Sequence, residues 1–420
     1  MKIFFKSVLL NLAVLITAAV IWLPCFHLFF KPEYVDFRSD TGIAPEARML
    51  AARHLAIWTN AELRAAELAA MQKRNPEWDF MSRTFFVLAL ANMVIQDPAY
   101  REQACTIIDL IIDHTVKIEK EKSFHHFLLD YSRSTWRADP ERSIFVDGEI
   151  ALMIGARRLI EEKAEYQPLF DLRIAALTNQ MSQSPVLAGE SYPDECWLFC
   201  NTISMAVLRM NDVLDGTDHS RFIADWLAHV KKYLLDEKTG LMISTYDVDG
   251  VPISCGATPE GSTIWMACHM LQIVDGDFAE DQYHRAKKEL ARSLLGFGFS
   301  REWPVYYAVY RSYLPVWLRT RVFDRPYVYE DVDSGPVLPW CGASASASGQ
   351  AIMAAAAFDD RQYFTRLITS LNFMGFPEKE NGQLRYCASN PVGDAVLLYA
   401  MVEGPLWDLI IQKSNSAHGR

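Results

Sequence analysis

Phe145-Val146-Asp147-Gly148-Glu149-Ile150-Ala151-Leu152-Met153 opens a run that continues to Leu159 and spaces its apolar residues as a helix does. Ile150, Met153, Ile154 and Leu159 keep that rhythm, and small residues fill the positions between them. The run predicts a closely packed helix that starts just after a polar loop and carries two carboxylates in its opening turns. The same pattern recurs near Asp79, Cys200, Ser262, Ser344 and Asn390. Phe85, Leu88, Met93 and Val94 follow it, as do Ile203, Val207, Leu208 and Met210. Between these runs lie amphipathic segments charged on one side, such as Arg221 to Leu235 and Asp281 to Leu295. Apolar helices alternating with amphipathic ones predict an all-α fold, an (α/α)6 barrel or toroid with a buried inner ring and a half-solvated outer ring. The spacing is too uneven for a solenoid repeat. Alternating βαβ signals and Gly-rich nucleotide loops are absent. In such a toroid the loops before the inner helices converge over a central pocket.

The 420 residues are half hydrophobic, enough apolar surface to offset the entropy of ordering and to exclude a disordered chain. Fifty-two acidic against 41 basic residues give a net charge of -11, the wrong sign for gripping phosphate backbones, so nucleic acid is not an expected partner. Ser7 to Phe30 contains no Asp, Glu, Lys or Arg. As a helix this stretch would extend about 36 Å, more than the roughly 30 Å of a bilayer core. Lys2 and Lys6 precede it and Glu33 and Asp36 follow it, which predicts the N-terminus inside and the body on the periplasmic or extracellular side. The expected division is therefore residues 1–31 as a membrane anchor, through 7–30, and 32–420 as one helical domain. The rival reading is a signal segment cleaved to release a secreted body, although Ile21, Trp22, Leu23 and Phe26 leave no clear small-residue cleavage site. Eight cysteines are too sparse for a disulfide framework; several are expected to be buried thiols, and no paired CxxC motifs suggest zinc.

Chemistry-bearing residues are densest from Gly189 to Thr202, which reads Gly-Glu-Ser-Tyr-Pro-Asp-Glu-Cys-Trp-Leu-Phe-Cys-Asn-Thr. Pro193 disfavours helix at Tyr192, so a loop leads into an inner helix. Asp194 would lie near the helix terminus and Cys200 a turn or two inside, where a cleft-exposed thiol has a lowered pKa. The plain alternative is that Asp194 caps the helix while Cys196 and Cys200 fill core. Asp147 and Glu149 form a second candidate site: one desolvated carboxyl could serve as an acid, or Asp147 could simply cap and Glu149 support the first turn. His125 and His126 near Asp130 lack metal-site spacing. Trp78, Tyr192, Trp197, Tyr246, Trp265, Trp340 and Tyr386 could wall an apolar cavity, with Gly261 and Arg385 beside inner helices.

Tyr192-Pro193-Asp194 followed by Phe199-Cys200-Asn201 resembles the loop-helix motif of the linalool dehydratase-isomerase family, where Cys-Glu-Pro-Asp precedes Cys-Asn at the same spacing. The likeness extends to Asn75-Pro76, to Asp97-Pro98 with Arg101, to Asp215-Gly216-Thr217-Asp218, and to Trp226, Tyr246, Trp265 and Leu384-Arg385-Tyr386. It covers about Glu67 to Leu406. The family's first motif cysteine falls on Ser191 and its neighbouring Glu on Tyr192. A family histidine falls on Glu149, a methionine on Phe145 and a pocket tyrosine on Gly261. The family's N-terminal catalytic Asp and Tyr have no match around Leu55 to Ala61.

The resemblance implies an α/α barrel and cofactor-free dehydration, hydration or isomerisation of small allylic terpene alcohols. On that basis Asp194, Cys200 and Glu149 are the expected catalytic residues. Ser191, Tyr192, Asn201, Asp147, Phe145, Tyr246, Gly261, Trp265, Arg385 and Tyr386 are expected to contact a small apolar substrate. No metal or cofactor is implied, and a homo-oligomer stays open. Two other classes compete: a carbohydrate-active hydrolase or lyase using Asp147 or Glu149 with Asp194 as a carboxylate pair, and a lipid- or terpenoid-binding protein without catalysis.

Overall fold

The computed structural model describes residues 2–253, 258–304, 335–338 and 341–418; Cys255 and Trp340 lie outside them. Six apolar helices form the inner ring: α5 (Pro76–Gln96), α7 (Ile144–Ile160), α9 (Leu198–Asp215), α11 (Gly261–Leu271), α13 (Ala345–Ala357) and α15 (Pro391–Val402). Each packs on the next, and α15 packs back on α5, which closes the ring. They are the six helices read from the sequence. Local chemistry sets where they start. Asn75, Ser344 and Asn390 accept hydrogen bonds from the first-turn N–H groups of α5, α13 and α15, and Pro76 and Pro391 occupy the first helical position. Every residue of α7 is buried, so its small residues let neighbouring helices approach on both sides. A Cβ on Gly155, for example, would lie 2.8 Å from the Met210 side chain of α9.

The outer layer follows from amphipathicity. Helices α6 (Arg101–Lys122), α8 (Gln167–Ser182), α10 (Ser220–Tyr233), α12 (Gly276–Glu289) and α14 (Arg361–Met374) each follow an inner helix. The pair α3 (Pro45–Thr59) and α4 (Ala61–Arg74) fills the place between α15 and α5. Helix α10 buries Ile223, Trp226, Leu227 and Val230, a spacing that places them on one face. At the C-terminal end of the ring, α16 (Pro405–His418) lies across the opening. There the Leu406 N–H donates to Asn92 Oδ1 at 2.9 Å, and the Trp407 indole donates to the His269 carbonyl at 3.2 Å.

At the opposite, N-terminal end short antiparallel strands link the helices. Strand β1 (Cys196–Trp197) pairs with β2 (Thr245–Tyr246), β3 (Ala291–Leu294) with β4 (Phe297–Arg301) and then β5 (Ala343–Ser344), and β6 (Pro377–Glu380) with β7 (Gln383–Tyr386). This corrects one expectation: the amphipathic helix predicted to reach Leu295 ends at Glu289. Leu295 and Gly296 both have positive φ, the geometry of a two-residue hairpin turn, and four-residue β3 pairs there instead.

Helix α1 (Lys2–Phe26) and the four-residue α2 (Tyr34–Phe37) precede the toroid. Among the described residues two helices are long and apolar enough to cross a membrane, α1 and α5. They differ in burial: α5 is mostly enclosed by the ring, whereas the apolar window of α1 has no buried residue.

Candidate active site

Asp147 and Glu149 are two residues apart on α7, hence about 200° apart around the helix axis. Asp147 faces the outer layer. Its carboxylate accepts from Arg173 of α8 at 2.6 Å and from the Arg142 Nε at 2.7 Å, and both arginines also bind Glu119 of α6. This corrects the expectation of a capping or substrate-facing Asp147: its oxygens are taken by a buried four-charge cluster, and Ser143 holds the N-cap position.

Glu149 has no such partner. It is buried, its Oε1 makes no hydrogen bond, and burial pushes its carboxyl up to about 8 against an opposing pull from the Thr84 hydroxyl of α5. At neutral pH the carboxyl is therefore protonated. Cys200, the third residue of α9, lies in the same electrostatic neighbourhood. Burial raises its thiol pKa well above the ordinary value, the Ser191 hydroxyl partly offsets this, and Glu149, Glu77 and Glu195 add to it. The expected activated thiolate is thus corrected to a neutral thiol, because burial among carboxylates outweighs the helix terminus. Tyr246 of β2 is fully enclosed nearby, and its hydroxyl makes no well-formed hydrogen bond. Phe145 packs edge-on to Phe80 with ring centroids 5.3 Å apart and lies 6.4 Å from Phe199, which gives this side of the ring an apolar wall.

The loop before α9 is held from several sides. Asn201 accepts from the Gly189 N–H at 2.9 Å and donates to the Gly189 and Trp197 carbonyls, so its amide is committed to the loop and not to a substrate. Ser191 receives the Trp197 N–H on its hydroxyl and the Ser143 hydroxyl on its carbonyl. The Tyr192 hydroxyl donates to Glu77 and accepts from the Leu129 N–H, while its ring stacks on Tyr131. Asp194 has φ 54° and turns outward: its half-exposed carboxylate pairs with Arg137 at 3.3 Å, and Arg137 also binds Asp249. The expectation of a catalytic Asp194 near the helix terminus is corrected by this placement in a rim turn.

Residues 165–391, more than half the chain, match the family model described as linalool dehydratase/isomerase. The chain belongs to this family. The match runs from two residues before α8 to the first residue of α15, so it includes the Ser191-to-Cys200 segment and leaves Glu149 outside it, 16 residues upstream.

Within the linalool dehydratase/isomerase framework the structure gives a physical reason for one departure. A Cβ on Gly261 would stand 2.4 Å from the Arg301 carbonyl and 2.9 Å from the Ala347 Cβ, and the Gly261 N–H donates to the Glu302 carbonyl at 2.6 Å. The incoming strand β4 occupies the space a side chain at this position needs. Two further expectations are corrected. Trp265 is fully buried between the layers, donates to Ser300 Oγ at 2.7 Å and packs near Tyr283 and Tyr363 of outer helices, so it is core and not pocket wall. Arg385 is an exposed partner of Glu378 across the β6–β7 hairpin. Tyr386 is buried at the other side of the ring, donating to Asn372 Oδ1 at 3.0 Å.

The sequence reading missed Thr84, His54, Gln350, Glu302 and Asp394. Each is buried, Thr84 beside Glu149, and His54 Nε2, Gln350 Oε1, Glu302 Oε2 and Asp394 Oδ1 have no hydrogen-bond partner. Burial holds His54 near 3, with Arg53 adding to it, so its imidazole is neutral; burial also raises Asp394, to about 6. The available signal was a lone polar residue on an otherwise apolar inner helix, as in Pro391-Val-Gly-Asp394-Ala-Val-Leu-Leu.

Proposed function

We propose that this protein is a membrane-anchored lyase or isomerase that acts without a cofactor on a small, mostly apolar alcohol of terpenoid or prenyl type. The supporting observation is Glu149: a carboxyl on the inner ring, protonated at neutral pH, with one oxygen free to engage a ligand and no cation beside it. Such a group can donate its proton to a substrate hydroxyl as the C–O bond breaks, releasing water. The carboxylate left behind, desolvated and therefore basic, takes a proton from the adjacent carbon, which forms the alkene and restores the acid. Reversal of the two transfers hydrates an alkene, and return of water at another carbon isomerises an allylic alcohol. Cys200, which feels the Glu149 carboxyl, and Ser191 and Tyr246 beside that thiol are the neutral donors assigned to the substrate hydroxyl, and Phe145 with its aromatic neighbours excludes water from a developing cation.

Asp194 is reassigned from catalysis to the rim, where Arg137 neutralises it. The carbohydrate reading loses its carboxylate pair, since Asp147 is held by two arginines and Asp194 faces solvent. The anchor reading is supported by α1, whose Leu9, Leu15 and Val20 side chains are all exposed. We place residues 1–31 in the membrane and the body, 32–420, on its outer side.

The test is turnover of a panel of allylic terpene alcohols and prenols, followed by gas chromatography-mass spectrometry, for the full chain and its Glu149→Gln and Asp194→Asn variants. Loss of product in Glu149→Gln with retention in Asp194→Asn supports the assignment. The reverse result overturns it. Binding of these alcohols without product from the unaltered protein leaves the non-catalytic binding protein as the better reading.

A further inference from the structure

We propose that the toroid docks on a lipid bilayer through the face where α1 joins it, and that a groove on this face opens at the boundary between headgroups and acyl chains. The proposal rests on the reading of α1 as a membrane span and adds a second contact made by the body itself.

The joint between α1 and the body is closely packed. Phe26 packs against Phe373 of α14 and Phe297 of β4, with ring centroids 5.4 and 6.2 Å apart, and Phe30 packs against Phe373 at 4.9 Å. Asn372 donates to the Phe30 carbonyl at 3.0 Å. At the β3–β4 turn a Cβ on Gly296 would lie 2.2 Å from the His27 ring, so only glycine lets the hairpin approach this closely. No flexible linker separates span from body, and the depth of one fixes the depth of the other.

That depth is legible from the charges. The uncharged run ends at Phe30, and Lys31 and Glu33 follow. Phe26 lies four residues inside that end, about 8 Å along the 3-10 turn His27–Phe29 that follows α1. The body residues packed around Phe26 therefore sit within the outermost apolar layer, comparable to the roughly 5–10 Å reached by interfacial elements. Around this joint the body exposes Leu294 and Leu295 at the hairpin turn, Phe373 and Met374 at the end of α14 and Phe376 just beyond it, with Phe29 beside them. These large apolar side chains come from three separate parts of the chain and gather at one level. An apolar patch of this kind is costly in water. The bilayer already holding α1 is the partner that continues into it.

The groove of about 700 Å³ starts here. Phe29, Phe30, Phe373 and Phe376 line it with Leu384 and Tyr386, and Lys31, Glu33, Asp36 and the Lys379–Glu46 pair add charges to its wall. The Tyr386 backbone lies close enough to the Asp394 carboxyl of α15 to pull its pKa down against burial, so the Tyr386 side of the groove abuts the inner ring. This mixed lining suits an alcohol held at the boundary between headgroups and acyl chains, its apolar part against the phenylalanines and its hydroxyl toward the charged groups.

Site-directed spin labelling of the full chain in phosphatidylcholine vesicles tests this. Single nitroxides go on Leu295→Cys, Phe376→Cys, Leu172→Cys and Leu12→Cys, in a background with Cys25, Cys255, Cys341 and Cys387 replaced by Ser. Leu295, Phe376 and Leu172 are exposed, so labelling leaves the core intact, and Leu172 lies on α8, across the ring from α14. Labels at 295 and 376 should favour oxygen over an aqueous nickel relaxant several-fold more than the label at 172, and added salt should not reverse this. Water-exposed labels at 295 and 376 with Leu12→Cys in lipid would overturn docking and leave the anchor standing. A water-exposed label at position 12 would sink the anchor reading, and docking falls with it if 295 and 376 are also in water. Spin–spin broadening at 295 or 376 would assign the patch to a second copy of the chain and overturn the proposal.

Discussion

The Arg173 guanidinium and the Asp147 carboxylate lie 2.6 Å apart, both almost wholly buried, in the seam between α7 and α8. With Arg142 and Glu119 they form a closed set of two cations and two anions. Removing Asp147 leaves both arginines to share the single Glu119 carboxylate, an excess positive charge in a mostly buried seam. Asp147→Ala should therefore cost about 3–5 kcal/mol of stability in urea unfolding. Product formed per folded molecule should stay near that of the unaltered protein, because the carboxylate faces away from Glu149.

Glu149→Gln should do the opposite. Turnover should vanish, since the amide has no proton to give at an oxygen. Stability at neutral pH should rise. The folded carboxyl titrates near 8 against a usual 4.5, so the folded state holds a proton that the unfolded chain has lost. Stability from this group is fully present below about 4.5, declines as pH rises and is gone above about 8. The advantage of Glu149→Gln should grow across that window, to roughly a few kcal/mol, in melting curves at stepped pH. In the unaltered enzyme kcat/KM should fall as pH rises through about 8, since the protonated acid is the active form.

Cysteine reactivity should follow burial. Cys105, Cys196, Cys200 and Cys268 are buried, and burial raises the thiol pKa of each. Cys387 is exposed. Iodoacetamide followed by peptide mass spectrometry should find Cys387 alkylated under native conditions and these four only after denaturation. Rapid native alkylation of Cys200 would contradict the neutral, enclosed thiol.

Restoring a side chain at Gly261 should fail. The obstacle is the Arg301 backbone, not a flexible side chain, so Gly261→Ala should lower stability by about 1–3 kcal/mol or more. Gly261→Tyr should cost more than the alanine variant. Thermal unfolding of the two variants against the unaltered chain checks the order.

The ring of helices was legible because its information is local. Helical spacing, small residues and the polar loop before each run named all six inner helices, and caps such as Asn75, Ser344 and Asn390 confirm where three of them begin. The helix predicted to reach Leu295 failed where a positive-φ turn at Leu295-Gly296 let a strand pair form. The motif around Ser191 and Cys200 was also legible, although the roles of its members were not: Asn201 proved to clip the loop and Asp194 to face outward.

By itself, then, the sequence determined the alternation of buried and amphipathic helices, the uncharged N-terminal run and the family, all properties of neighbouring residues. Only the tertiary structure decided which of two carboxylates on one helix is the acid. Asp147 meets arginines brought from another helix and from the preceding loop, while Glu149, two residues on, meets none and keeps its proton. Charge in a protein interior is set by partners that arrive from far along the chain, and no local pattern records which of them will arrive.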